Sequence, residues 1–205
     1  MQRFGRAIGG TPYVTLEREP TGDPHPTAPL ASANLTNWVE TVMTYPSTVR
    51  RRIQVEHVAI DATKSFEAVR AAFEELAAPL DPAIPEALRR GDIGRAKEAL
   101  QRGPELAIFT ARDHGGLLRT AGLARKAVQY EIGNPLTATE MTRYQLPAAL
   151  YAPLRVLLYE SEAGRAVVEY DRPSSLFGQF GDERVTAVGR ELDAKLERVL
   201  VKAAG

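Results

Sequence analysis

The stretch Ala152-Pro153-Leu154-Arg155-Val156-Leu157-Leu158-Tyr159-Glu160 decides the fold of this chain. Its apolar run predicts a strand over 153–160. The following Ser161-Glu162-Ala163-Gly164 is typical of a hairpin loop with glycine in the left-handed position. A returning strand is predicted over 165–171, closed by Pro173. The sequence therefore predicts an antiparallel hairpin here.

The remaining periodic segments extend this hairpin into a sheet covered by helices. Strands are also predicted over 49–61, 106–110 and 126–132. Helices are predicted from a cap at Thr63 or Ser65, around 84–90, around 93–102, and from a cap at Asp182 onward. The connections after residue 105 are too short for repeated βαβ crossovers. We therefore predict an α+β fold with a mainly antiparallel sheet, helices packed on one face and a long C-terminal helix.

Composition limits the possible partners and cofactors. The chain has 26 Lys and Arg against 26 Asp and Glu, which argues against nucleic acid or an anionic membrane surface as a partner. Without cysteine, thiolate catalysis and cysteine-based metal sites are excluded. His25, His57 and His114 lack the spacing of metal ligands, so we expect no metal or other cofactor. No signal peptide or membrane-spanning run is recognisable, and a cytoplasmic protein is expected.

The N-terminal residues differ from the rest of the chain. Six prolines between Pro12 and Pro46 leave no room for a long helix or strand, although a short helix is predicted from about Leu35 to Thr44. We interpret residues 1–47 as an N-terminal extension or arm. Residues 48–205 are interpreted as a single α+β domain.

Taken together, the segments after residue 53 resemble the domain of unknown function 302 (DUF302) family, which has the TT1751-like fold. The resemblance covers about residues 53–204. It is carried by Asp113-His114, Gly133-Asn134-Pro135, the strand led by Pro153, the hairpin with its return strand, and the amphipathic C-terminal helix. It implies an often dimeric α+β domain with a layout like that of the TATA-binding protein, and it implies no activity. The chain departs from the family by its N-terminal extension and by an insertion near 80–103.

Asp113-His114 is the candidate catalytic pair. It lies where a buried strand gives way to a glycine-rich turn, and a histidine beside a carboxylate is suited to general acid or base chemistry near neutral pH. The alternative is structural: Asp113 caps the following turn and His114 makes a hydrogen bond. Both interpretations are open at the level of the sequence.

Four other residues are candidates for ligand binding. Asn134 is held extended before a proline and offers an amide, although Gly133-Asn134-Pro135 is also a common way to end a strand. Arg155 in an apolar strand suits an anionic ligand, or it pairs with Glu131 or Glu169 across the sheet. Tyr130 and Tyr159 are placed to line a pocket or to cover the sheet. Phe177 and Phe180 are expected in an exposed loop over 174–181.

These residues support three functions. The first is a small-molecule-binding or homodimeric interaction module, with the ligand between sheet and helices. The second is an enzyme that uses His114 as general acid or base. The third is a subunit of a larger assembly that is contacted through the N-terminal arm. We favour the first function, because no recognisable catalytic motif accompanies the predicted cavity.

Overall fold

The computed structural model describes residues 48–205, and a five-stranded antiparallel sheet forms its centre. The strands lie in the order β1-β5-β4-β3-β2, so β1 and β2 form the edges. The strands are β1 (His57–Asp61), β2 (Ala107–Asp113), β3 (Ala127–Gly133), β4 (Leu154–Glu160) and β5 (Ala166–Asp171). The predicted hairpin of β4 and β5 is confirmed, and Gly164 in its loop has a φ of 74°.

Within residues 48–205, seven α-helices accompany the sheet. They are α1 (Phe66–Leu76), α2 (Ala83–Arg89), α3 (Ile93–Arg102), α4 (His114–Leu118), α5 (Pro135–Thr142), α6 (Pro173–Phe177) and α7 (Glu183–Ala204). Ser65 and Asp182 cap α1 and α7 by accepting hydrogen bonds from backbone N–H groups of the first turn, as their sequence positions predict. A 3₁₀ helix at Leu146–Tyr151 connects α5 to β4. No helix of the described part is both long and apolar enough to cross a membrane.

One face of the sheet forms the core with α1 and α7. Alternate residues of β3 and β4 are buried on this face, among them Tyr130, Ile132 and Val156. Phe73 of α1 and Leu196 of α7 pack into the same cluster. The predicted α+β class, with helices on one face and a long C-terminal helix, is thus confirmed.

The strand predicted over 49–61 is shorter than expected. Only His57–Asp61 pairs, and it pairs with β5 alone because β1 is an edge strand. Its partner ends at Asp171, where Arg172 and Pro173 turn the chain into α6. The preceding residues therefore have no strand to continue along, and Val49 is 82% exposed.

The segment near 80–103 folds as a helical hairpin of α2 and α3. Ile84 and Leu100 are buried, and α3 contacts α5. The segment that leads into this hairpin is hydrogen-bonded to β2, since the backbone N–H of Leu80 donates to the carbonyl of Ile108 at 2.9 Å. That this hairpin is an insertion relative to the family stays a prediction. The short helix predicted over 35–44 and the arm 1–47 lie outside the described residues.

Candidate ligand site

An apolar cavity of about 220 Å³ opens where β2, β3 and β4 meet α5, α6 and α7. Its inner wall consists of buried side chains from three helices and two strands: Ile132, Met141, Leu154, Phe177 and Leu192. Its outer wall is partly exposed and includes Phe109, Asn134, Thr137 and Ala138. The cavity is therefore continuous with the core on one side and reaches the surface on the other.

An irregularity in β2 shapes the mouth of the cavity. The register between β2 and β3 shifts between Ile108 and Thr110, so Phe109 falls in a β-bulge and is 38% exposed. Its ring lies over Gly133, where an added Cβ would be 3.5 Å from the Phe109 ring. This distance is an ordinary van der Waals contact, so the Phe109 ring lies against Gly133. The bulge thus places an aromatic ring at the entrance.

Asn134 lies at the boundary of two cavities. Its Oδ1 accepts a hydrogen bond from the backbone N–H of Leu136 at 2.9 Å, which makes it the cap of α5, with Pro135 in the first turn. It lines the apolar cavity and also a smaller one of about 70 Å³ under the α2–α3 hairpin. Among residues 48–205, no acceptor binds the Asn134 side-chain NH₂ group. Its contact with a ligand stays a prediction.

The pair Asp113-His114 lies away from this cavity. Asp113 Oδ1 accepts a hydrogen bond from the backbone N–H of Gly116 at 2.7 Å and thereby caps α4, as the structural interpretation predicts. Gly115 is needed because a Cβ there would lie 2.4 Å from the carbonyl oxygen of Arg125. His114 begins α4, is partly exposed, and forms no side-chain hydrogen bond within the described part. A catalytic role for the pair stays a prediction.

Tyr130 lies in the core beneath α1 and lines neither the apolar cavity nor the smaller one beside it. Its hydroxyl donates to Glu74 Oε1 at 2.8 Å, and its ring meets Phe73 edge to face with the centroids 4.9 Å apart. Burial raises the pKa of Tyr130, and the hydrogen bond to Glu74 adds to this effect. The residue therefore joins the sheet to α1 and does not face the space available to a ligand.

Arg155 and Tyr159 project from the face of the sheet opposite the core. Tyr159 donates to Glu169 Oε1 at 2.8 Å, and this hydrogen bond raises the pKa of Tyr159. Arg155 is opposite Glu131 in the register, yet the expected cross-strand ion pair is not formed. Arg112 of the edge strand reaches Glu131 diagonally, with Nη1 2.6 Å from Oε1. Arg155 forms no ion pair with any residue in the described ranges.

Of the six predicted site residues, the structure thus brings only Asn134 to the cavity. Apart from Gly133 and Thr137, the other cavity residues are ordinary apolar side chains, whose sequence positions carry no signal for a ligand site. Phe177 is a clear case: it was expected in an exposed loop, yet it is fully buried in α6. Within residues 48–205, no group of three or more histidine and acidic side chains is arranged to hold a metal ion.

Comparisons with known proteins support the resemblance seen in the sequence. The family model described as "Domain of unknown function DUF302" matches residues 93–203, a shorter stretch than the 53–204 of the resemblance. The crystal structure of an uncharacterised conserved DUF302 protein from Bacillus stearothermophilus is 15% identical, with a TM-score of 0.53. The match covers 72% of this chain and 97% of that one, and it shows a shared fold. No curated protein matches the chain. Since the family model covers more than half of the residues, the chain belongs to the DUF302 family.

Proposed function

We propose that this protein is a small-molecule-binding module whose ligand occupies the apolar cavity beside Asn134. One observation carries the proposal: a cavity of about 220 Å³ with apolar walls that is open to the surface at one end. When a ligand covers the apolar walls of a cavity, it removes them from contact with water, and this lowers the free energy of the complex. The cavity lies between sheet and helices, where the sequence led us to expect a ligand.

The size of the cavity limits the ligand. An engineered apolar cavity of about 150 Å³ in another protein holds benzene, whereas pockets for drug-sized ligands measure roughly 300–1,000 Å³. A cavity between these sizes suits a compact molecule of about ten non-hydrogen atoms.

The location of the walls predicts how binding affects the protein. Met141 belongs to α5, Phe177 to α6, Leu192 to α7 and Leu154 to the sheet, so a ligand in the cavity contacts elements from separate parts of the chain. A ligand that binds only the folded state stabilises it by RT ln(1 + L/Kd), where L is the concentration of free ligand. Binding should therefore raise the melting temperature of the whole domain.

The experiment uses a probe of the right size and a variant that fills the cavity. The probe is α-methylstyrene, and the reporter is the ¹³C-labelled methyl group of Met141, one of three methionines in the chain. We expect the probe to shift the Met141 signal in the wild-type protein. Ala138→Leu places a larger side chain in the outer wall and should abolish the shift.

The matched control is Thr139→Leu, one position along α5 on the exposed surface. It adds the same side chain outside the cavity and should leave the response unchanged. Equal probe binding by the Ala138→Leu and wild-type proteins would contradict the proposal, as would the lack of any response in the wild type.

The other functions suggested by the sequence receive less support from the geometry. His114 does not line this cavity, and an enzyme that uses it as general acid or base stays a prediction. The homodimeric module, the assembly subunit and the cytoplasmic location stay predictions.

A further inference from the structure

We infer that the ligand class consists of neutral, mainly apolar molecules that carry one hydrogen-bond acceptor, such as a ketone oxygen, and that the Asn134 side-chain NH₂ group binds this acceptor. The inference rests on the proposed function and adds the chemistry of the ligand to it.

The expectation that the ligand is neutral follows from the side chains that line the cavity. Among the described residues, the cavity is lined by aliphatic and aromatic side chains, by the backbone of Gly133, and by the uncharged polar side chains of Asn134 and Thr137. No side chain in this lining carries a charge. A charged ligand would lose its hydration there without gaining a counter-ion, which is energetically unfavourable. Charged molecules are therefore disfavoured.

The preference for an acceptor follows from the bonding state of Asn134. Its Oδ1 is engaged with the backbone N–H of Leu136, and this bond fixes the orientation of the amide. A side-chain amide offers two N–H donors, and within residues 48–205 neither has an acceptor. A purely apolar ligand that excluded water from this group would leave those donors unpaired. A ligand oxygen at the same place would satisfy one of them, and such sites discriminate strongly against analogues without the partner group.

Two probes of matched shape separate this inference from the proposed function. Acetophenone and α-methylstyrene differ only in that a C=O group replaces a C=CH₂ group. We would measure the Kd of each through the Met141 methyl signal and form the ratio of acetophenone to α-methylstyrene. The ring and the methyl group are common to both probes, so their contributions to the binding free energy largely cancel in this Kd ratio. A change of the ratio between protein variants therefore reports on the interaction of the carbonyl oxygen.

The matched variant is Asn134→Asp, which keeps an oxygen to cap α5 and removes both N–H donors. Asn134 has φ −130° and ψ 122°, an extended conformation that aspartate adopts as well. We expect the Kd ratio to rise by about tenfold in this variant, because acetophenone loses the donor for its oxygen and α-methylstyrene has no hydrogen bond to lose. Asn134→Ser, which caps without a charge, should raise the ratio in the same direction.

The outcomes are distinct. If α-methylstyrene binds at the Ala138-dependent site and the ratio is the same in the wild-type protein and both Asn134 variants, the acceptor inference is overturned and the proposed function stands. If Thr137→Val raises the ratio and the Asn134 variants do not, the donor is the Thr137 hydroxyl and the assignment to Asn134 is wrong. If neither probe binds, both proposals fail.

Discussion

His57 is a residue whose charge should affect stability in a pH-dependent way. Its Nδ1 lies 2.9 Å from Asp171 Oδ1, and its Nε2 lies 3.4 Å from Glu169 Oε2. The hydrogen bond to Asp171 is the main reason that the pKa of His57 is raised above its ordinary value of 6.5. Because the folded pKa exceeds the unfolded one, the stabilisation is complete below about pH 6.5 and is lost as pH rises through the folded pKa.

We therefore expect the wild-type protein to exceed His57→Gln in free energy of unfolding at about pH 5.5, and the difference to shrink by about pH 8.5. The effect should be small, since the His57 side chain is 57% exposed and solvent screens the pair. Urea titrations of both proteins at each pH measure it, and repeating them at high salt should reduce the difference. A difference that grows with pH would show the sign to be wrong.

Capping residues show which single residues the sequence reveals. The sequence predicts Asp182 as a cap and offers Ser65 and Asp113 as candidates, because each side chain can accept from a backbone N–H two or three residues further along the chain. Asp193 was not recognised, since its buried carboxylate binds Arg172 and the backbone N–H of Ser174, about twenty residues away. A partner that only the tertiary fold supplies leaves no local pattern. The same is true of Arg155: of its two expected partners, Glu131 is bound by Arg112, and Glu169 is bound by Tyr159 and His57.

At the scale of elements, the packing of α6 on α7 depends on Gly189. Alanine is normally better than glycine within a helix by about 1 kcal/mol. A Cβ at position 189 would lie 3.0 Å from Ser174 Cα and 3.4 Å from Phe177 Cβ, so α6 would have to shift. We expect Gly189→Ala to lower the free energy of unfolding by about 1 kcal/mol despite its better helix propensity.

The control is Gly94→Ala in α3, where the nearest atom to an added Cβ is Asp92 Oδ1 at 4.0 Å. This change should raise the free energy of unfolding by a few tenths of a kcal/mol, up to about 1 kcal/mol. Chemical denaturation of the two variants measures both effects. Stabilisation by both substitutions would mean that α6 does not restrict position 189.

Elements whose own sequence shows a strand or helix pattern were predicted well. An element that is buried only by packing against a segment distant in the sequence was not. The strands predicted over 126–132 and 153–160 match β3 and β4 closely, because apolar and polar residues alternate in the first and an apolar run fills most of the second. The sequence predicts an exposed loop where α6 lies, since a five-residue helix that begins with Pro173 and is followed by Gly178 shows no helical stripe. Its burial comes from contact with α7, where Gly189 allows a close approach.

At the scale of the whole molecule, the cavity forms where segments that are distant in the sequence come together. Its walls come from β2, β3, β4, α5, α6 and α7, so residues as far apart as Phe109 and Leu192 meet there. The sequence predicted the layers that make such a space possible, and a cavity between sheet and helix follows from them. Its position could not be predicted, because it depends on a bulge at Phe109 and on how α5 and α6 pack.

Also at the scale of the whole molecule, the connection between β1 and α1 is hydrogen-bonded to the last turn of α7. The backbone N–H of Thr63, between β1 and α1, donates to the carbonyl of Ala204 in the last turn of α7 at 3.0 Å. Ala203 and Ala204 are buried in the core cluster, together with Phe66 and Val69 of α1. The last turn of α7 is thus part of the common core, and damage to it should affect the unfolding of the entire domain.

Ala203→Asp tests this link by placing an unpaired carboxylate in the core, which should lower the free energy of unfolding by about 2–4 kcal/mol. Val201→Asp is the matched control, because it places the same carboxylate in the same turn at an exposed position and should cost less than about 1 kcal/mol. Far-ultraviolet and near-ultraviolet circular dichroism during denaturation should report one shared transition in each variant. An unchanged main transition in Ala203→Asp, with only a small early loss of helix, would mean that the last turn frays independently of the core.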